Sequence, residues 1–435
     1  MKKCAAFLFC SYIMRTDFYL NLLNIKMFNS TNEKMKSSRI LSVISAIFAT
    51  LIISGCANSD APAKYVFLFI GDGMGTSHVD VTESYLSYKA GVLGGEQLLM
   101  TTFPVFGTVT NYSANSRVTD SSAAGTAIAC GEKTNNSWLG VDPNEVPLES
   151  VASVLKNEYD YNVAVISNVP INHATPASFY GHNRSRHANY EILKEIPESG
   201  FDYFAGAGFM SFAGSRWRPE RNISEYLEEN GYNVVWGKEE LAEAIANKDK
   251  IVFGQIYNKD VEPKNYDNTG VKPEGDASLA EMVQGALDLF GDKEPFFMAI
   301  EGGEIDWSGH SNKVMPTVMG VIDMDNAIRK AYDFYLAHPD ETLIIVTADH
   351  ETGGIALGDK YNVKWEVFEQ SWNENGQSNN LSGEDNAALN KAGLIGWTTG
   401  DHTGGAVPVY AVGKGAEKFG GRIDNTDIKN KILGR

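Results

Sequence analysis

Several stretches of this sequence place acids beside imidazoles at spacings that suit a metal ion. In Glu301-Gly302-Gly303-Glu304-Ile305-Asp306-Trp307-Ser308-Gly309-His310, Asp306 and His310 are four apart, which on one helical turn puts carboxylate and imidazole on the same face. Thr347-Ala348-Asp349-His350 adds an adjacent pair, and Asp401-His402-Thr403-Gly404-Gly405 a further imidazole. Mixed histidine and carboxylate ligands suit Zn2+, whereas all-oxygen sites suit Mg2+. One such histidine alone would read as structural; three of them with carboxylates beside them read as ligands. Asp120-Ser121-Ser122-Ala123-Ala124-Gly125-Thr126 opens with a capping residue and continues in small helix formers. Ser121 is therefore expected at a helix N-terminus, where free N–H groups and the dipole favour an anion. Phe69-Ile70-Gly71-Asp72-Gly73-Met74-Gly75 ends a strand in an acid among glycines, which let backbone turn tightly beside a ligand.

The elements that must position these residues are legible as a pattern. Apolar runs of strand length recur at Tyr65 to Ile70, Asn162 to Ser167, Phe296 to Ile300, Leu343 to Thr347 and Val407 to Val412. They lack polar alternation, as strands buried on both faces do. Helical patterns lie between them at Leu148 to Tyr159, Leu279 to Phe290 and Met315 to Leu336. The alternation predicts an α/β three-layer sandwich around a central, mostly parallel β-sheet. Asp72, Glu301 and the Asp349-His350 pair each close a strand, the edge where open α/β sheets bind ligands. Phe201 to Phe253 and Tyr361 to Lys391 read as insertions, the second a solvated loop around Asn373-Glu374-Asn375-Gly376-Gln377-Ser378.

The chain has 435 residues and a formal charge of −18, which argues against nucleic-acid binding and would repel an anionic substrate unless bound metal ions reverse the field locally. Met35-Lys36-Ser37-Ser38-Arg39 followed by apolar residues to Gly55 reads as an export signal over 35–55. The apolar run is short for the ~20 residues that span a bilayer. Ser54-Gly55 before Cys56 resembles a lipobox, so Cys56 is expected to carry lipid, anchoring the protein outside the cytoplasm through a 56–64 linker. Residues 1–34 read as an upstream extension, with Met35 the start. Of the four cysteines only Cys130 then remains in the 65–435 body, read as a buried small residue.

Ile70-Gly71-Asp72-Gly73-Met74-Gly75, Val118 to Thr126, His173-Ala174-Thr175-Pro176-Ala177 with Arg186 following, Glu301-Gly302-Gly303 through His310, Thr347-Ala348-Asp349-His350 and His402-Thr403-Gly404 together resemble the alkaline phosphatases. The blocks stand in that family's order and span nearly all of the body. The resemblance implies two Zn2+ and one Mg2+. One zinc would be held by Asp306, His310 and His402. The second would be held by Asp349, His350 and Asp72 with Ser121. Mg2+ would take Asp72, Glu301 and Thr175. It further implies that Ser121 attacks the phosphorus of a phosphate monoester, passing through a phosphoserine, while Arg186 clamps the phosphate oxygens. Arg184 is the rival to Arg186, and the spacing from Thr175 favours Arg186.

Two positions depart from the best-studied enterobacterial pattern, which has Asp and Lys where this sequence has His173 and Trp307. Both are expected beside the metal ligands; loss of the lysine should loosen the hold on phosphate, and His173 should make the third site less strictly Mg2+. His78 and His338 read as surface or structural. Members of the family are often homodimers and sometimes monomers, and no interface is legible. Two other readings stand beside the monoesterase: a phosphodiesterase or nucleotide pyrophosphatase of the same superfamily, and a non-catalytic lipoprotein that binds phosphate or metal.

Overall fold

The computed structural model describes residues 61–215, 217–259, 273–358, 362–377 and 381–435. The expected export signal and Cys56 lie outside them. Among the described residues no helix is long and apolar enough to cross a membrane.

Tyr65–Gly71 (β1) is buried along its whole length, because its seven residues are aliphatic or aromatic but for the closing glycine. It pairs in parallel with two strands of the same kind, Phe296–Gly302 and Thr342–Thr347, each also fully buried. Strands covered on both faces have no reason to alternate, and these do not. The other strands are Val105–Thr110 (β2), Asn162–Ser167 (β3), Tyr203–Ala205 (β4), Asn233–Trp236 (β5), Ile251–Gly254 (β6), Val407–Gly413 (β9) and Gly421–Asp424 (β10). With Phe296–Gly302 as β7 and Thr342–Thr347 as β8, they form one ten-stranded sheet in the order β10-β2-β9-β8-β1-β7-β3-β4-β6-β5. Only β9 runs against the rest, pairing antiparallel with β8 and β2. The mostly parallel α/β sheet expected from the sequence is therefore present.

Register turns this order into a site. Ile70 stands opposite Glu301 on one side and Thr347 on the other, and Ser167 is level with Glu301. The carboxyl ends of β1, β7, β8 and β3 thus finish side by side, and the residues that follow them project from one edge. Because β9 is reversed, its beginning reaches that same edge, which brings His402 there from the far end of the chain.

Residues 201–253, expected as an insertion, contribute β4, β5 and β6 to the sheet. Tyr361 to Lys391 is not a solvated loop: its described residues include the helices Trp365–Glu374 and Gly383–Gly393. Trp365, Phe368 and Trp372 fall on one face of the first and are buried against Val81, Tyr85 and Val318 in a second apolar cluster apart from the main core. The polar run from Asn373 hid this spacing. Replacing Phe368 by alanine would open a cavity under the helix pair and is expected to cost about 3–5 kcal/mol, read as a lowered urea midpoint.

Candidate metal centre

Asp72 follows β1 directly, and its backbone N–H donates to Gly302 O at 3.2 Å. The turn beyond it needs a glycine: Gly73 has φ +74°, and a Cβ there would stand 2.7 Å from Thr352 Oγ1. That close approach lets the Gly73 N–H donate to Asp349 Oδ1 at 3.1 Å, so one turn orients two acids. Glu301 closes β7, where Ser167 Oγ donates to its Oε2. Asn168 Oδ1 accepts from Gly303 N at 2.8 Å and so holds the following turn. Asp306 and His310 lie on the short helix Glu304–His310, with His310 Nε2 3.4 Å from Asp306 Oδ1.

Three groups of side chains gather here, each with its potential ligand atoms within 4.8 Å of one another: Asp306, His350 and His402; Asp72, Asp349 and His350; Asp72, His173 and Glu301. His350 Nε2 lies 3.2 Å from Asp349 Oδ2, 3.4 Å from Asp72 Oδ1 and 3.2 Å from Ser121 Oγ. His310 stands at the outer rim of the first group, 3.1 Å from His402 Nε2. Thr175 Oγ1 is 3.3 Å from Asp72 Oδ2, but it is His173, expected only beside the ligands, whose ring joins the third group. Trp307 presents an edge-on ring to His173, with centroids 5.7 Å apart.

The tautomers follow from the partners. His310 Nδ1 lies 2.7 Å from Gly400 O and His402 Nδ1 2.8 Å from Thr119 O. A carbonyl only accepts, so both Nδ1 atoms carry hydrogen and both rings turn Nε2 towards the site. The Thr352 hydroxyl spends its one hydrogen on Asp306 Oδ1, at 2.5 Å, and stands 3.2 Å from His350 Nδ1. It can then only accept from His350, so the neutral His350 ring leaves its Nε2 bare.

Asp120 caps the helix Ser121–Cys130, accepting from Ala123 N at 3.0 Å. Its other oxygen accepts from Ser122 Oγ, Ser137 N and Arg186 NH1 at 2.7, 2.9 and 3.3 Å. Arg186 NH2 also lies 3.2 Å from His173 Nε2, so this guanidinium is drawn in beside Ser121. Arg184 instead pairs with exposed Glu145 and is itself exposed. Cys130 is buried, and burial pushes its thiol up to about 12. His78, read as surface or structural, is fully buried. Thr352, Ser167, Asn168 and Asp120's link to Arg186 were not singled out from the sequence as supports; the polar residues adjoining each strand end were the available signal.

Buried negative charge dominates the electrostatics. Burial, then the charges of Asp349, Asp306 and Glu301, push Asp72 well above the usual carboxylate range. Burial and Asp306 push Asp349 up to about 7. Burial also acts to raise Asp306, but its hydrogen bond to His402 and the charges of His350 and His310 outweigh it and hold that carboxyl low. Burial drives His350 well below its ordinary value. Asp72 Oδ1, Asp349 Oδ2, Glu301 Oε1 and His173 Nδ1 are buried with no hydrogen-bond partner among the described residues. Leaving such groups unmatched is costly, and divalent cations would match them. The residues fit such ions.

With a chelator present the sign of the pH dependence follows. His350 is neutral in the fold, and its unfolded form still binds a fraction of a proton up to about pH 7.5, a smaller slope of opposite sign that vanishes above that pH. Asp72 and Asp349 keep protons in the fold that the unfolded chain has lost, and His402, raised by Asp306 against the effect of burial, does the same. Thermal stability in EDTA is therefore expected to fall from about pH 6.5 to about 8, by up to about 1.4 kcal/mol per pH unit for each retained proton, and added Zn2+ should abolish the slope.

A family model described as alkaline phosphatase matches residues 63–207 and 208–434. The chain is 30% identical to Alkaline phosphatase 4 of Bacillus subtilis, over 94% of this chain and 98% of that one. It superposes on the alkaline phosphatase of the Antarctic bacterium TAB5 with a TM-score of 0.69 at 30% identity, covering 86% of this chain and 98% of the other. A His-to-Asp mutant of that enzyme, with Mg bound in its M3 site, gives a TM-score of 0.68 at 30% identity, covering 86% and 97%.

Proposed function

The chain belongs to the alkaline phosphatase family, and we propose that it hydrolyses phosphate monoesters through a phosphoserine on Ser121. The observation that carries this reading is the Ser121 hydroxyl at a buried helix N-terminus, 3.2 Å from His350 Nε2, with Arg186 tied alongside by Asp120.

Asp306, His310 and His402 would hold one zinc, and Asp349, His350 and Asp72 a second. Asp72, Glu301 and Thr175 would hold magnesium, with His173 Nδ1 near enough to join them. Such ions supply Lewis acidity, lowering the pKa of the serine hydroxyl and of water and neutralising the departing oxygen. The chain's own groups do the rest. Ser121 Oγ, its proton passed to water, forms a bond to phosphorus as the bond to the leaving oxygen breaks, and that oxygen takes a proton from water and departs as the alcohol. Arg186 offers a planar fork to two non-bridging oxygens, and the helix N–H groups add donors to the charge that spreads over them. Water then attacks from the opposite side, releasing inorganic phosphate and restoring the serine. Two inversions leave the configuration at phosphorus retained.

His173 and Trp307 set the tone of this site. A lysine in place of Trp307 is expected to tighten inhibition by inorganic phosphate, and His173→Asp to strengthen the requirement for Mg2+. An unchanged inhibition constant, or an unchanged Mg2+ titration, would count against the respective role. We read residues 35–55 as an export signal and Cys56 as the lipid-bearing first residue, so the enzyme would act outside the cytoplasm at a membrane surface. Homodimerisation is a further reading from the family.

The deciding assay is hydrolysis of p-nitrophenyl phosphate at alkaline pH by protein starting at Ala57, before and after EDTA and after restoring Zn2+ and Mg2+. Activity is expected to vanish with chelation and return with both metals, while Ser121→Ala lowers kcat on the order of a thousandfold or more. Cleavage of a diester in preference to the monoester would replace this reading with a phosphodiesterase, and inertness to both with a binding protein.

A further inference from the structure

His402 arrives on a segment with little packing of its own. Trp397 rests against the second apolar cluster and the His402 ring stacks on His350 with centroids 3.6 Å apart, but no residue from 396 to 406 is buried, so hydrogen bonds carry much of its fixing. The backbone attachment is short: a two-residue ladder pairs Glu351 with Thr403 and Thr352 with His402. Beside it, Gly353 N donates to Asp401 O at 2.9 Å, and Gly353 O accepts from Thr398 N at 2.9 Å and Thr399 N at 3.1 Å.

We propose that Glu351 is the positioning residue that locks this segment, and with it His402, against the other site residues; the assignment rests on the metal-dependent reading above. One oxygen of its carboxylate accepts from Thr403 Oγ1, the side chain next to His402. The other accepts from Gly354 N at 2.7 Å, fixing the Gly353-Gly354 turn that receives Asp401, Thr398 and Thr399. A carboxylate only accepts, so the Thr403 hydroxyl is committed as donor and the arrangement has a single sense. The Glu351 stem crosses Gly75, where a Cβ would lie 2.2 Å from Glu351 Cγ. That glycine closes the turn begun at Asp72, so the same side chain presses on a second source of ligands. Behind it sits fully buried His78, with Nδ1 3.8 Å from Glu351 Oε1. Glu351 itself follows His350 in sequence. One side chain thus braces the segments carrying Asp72, His350 and His402.

Partners that orient a ligand typically tune metal affinity by about 10–100-fold. Zinc affinity of the chelator-stripped full-length protein, measured by competition with a chromophoric chelator, tests the assignment without recourse to activity. Glu351→Gln and Thr403→Val should each weaken the weaker Zn2+ site about tenfold or more, with Thr403→Ser close to wild type. The Glu351→Gln/Thr403→Val double variant should be no worse than the poorer single, because both remove one contact. Circular dichroism checks folding, and Thr403→Val keeps the test open if Glu351→Gln does not fold. Affinities within twofold of wild type in both single variants, or losses that multiply in the double, would overturn the role of Glu351. A wild-type protein that binds no Zn2+ would instead bring down the metal reading and this assignment together.

Discussion

Asp72, Glu301, Asp306 and Asp349 end or follow neighbouring elements within one small region, and each is almost wholly removed from water. Carboxylates so placed repel one another in a medium that screens poorly, and burial alone already disfavours their charged forms. The surroundings are arranged to bear that load. Backbone N–H groups of Gly73 and His350 point at Asp349, hydroxyls of Ser167 and Thr352 serve Glu301 and Asp306, and imidazoles are interleaved with the acids. Asp72 Oδ1, Asp349 Oδ2, Glu301 Oε1 and His173 Nδ1 still find no hydrogen-bond partner among the described residues, and a set of oxygen and imidazole donors suits a divalent cation.

A parallel sheet is a natural frame for such crowding. It delivers several chain segments to one edge with their directions fixed by pairing, and it keeps them rigid because the strands beneath are packed on both faces. The reversed β9 solves a separate problem, since a parallel strand would have brought its C-terminal residues, not His402, to that edge. Ser121 and Arg186 come from a different quarter, off the helix Ser121–Cys130 and the segment after Thr175, and Asp120 ties them together. The site is thus the meeting of a rigid acid-and-imidazole edge with one capped helix.

Much of this was legible in the residues. The helix Leu279–Phe290 and the strand Asn162–Ser167 have the bounds their apolar patterns mark out. The acids and imidazoles stood out because polar residues directly after apolar runs have no packing reason to be there. Orientation was another matter. Nothing in Val407 to Val412 says that the strand runs backwards, as a buried strand has the same composition in either direction. Strands as short as Tyr203–Ala205 carry too few residues to declare a period, so the three strands within residues 201–253 were not legible. Trp365, Phe368 and Trp372 were spaced for a helix face, but the asparagine-rich run that follows drew attention to solvent. The supports Thr352, Ser167 and Glu351 were hidden for a different reason: a hydroxyl or carboxylate declares its partner only in three dimensions.

The spread of the site along the chain has a consequence for how the protein comes into being. Ser121 and His350 touch across 229 positions, β1 pairs with a strand that begins at Thr342, and His402 emerges after both. A chain appearing from its N-terminus therefore holds Asp72 and Ser121 long before their partners exist, and contacts of such separation form slowly. The acids near the start must wait, hydrated and apart, until the final tenth of the polypeptide is available. Any ion these residues hold would accordingly be captured late in biogenesis, and the compartment in which synthesis ends, rather than the one in which it begins, would decide which ions the nascent protein meets.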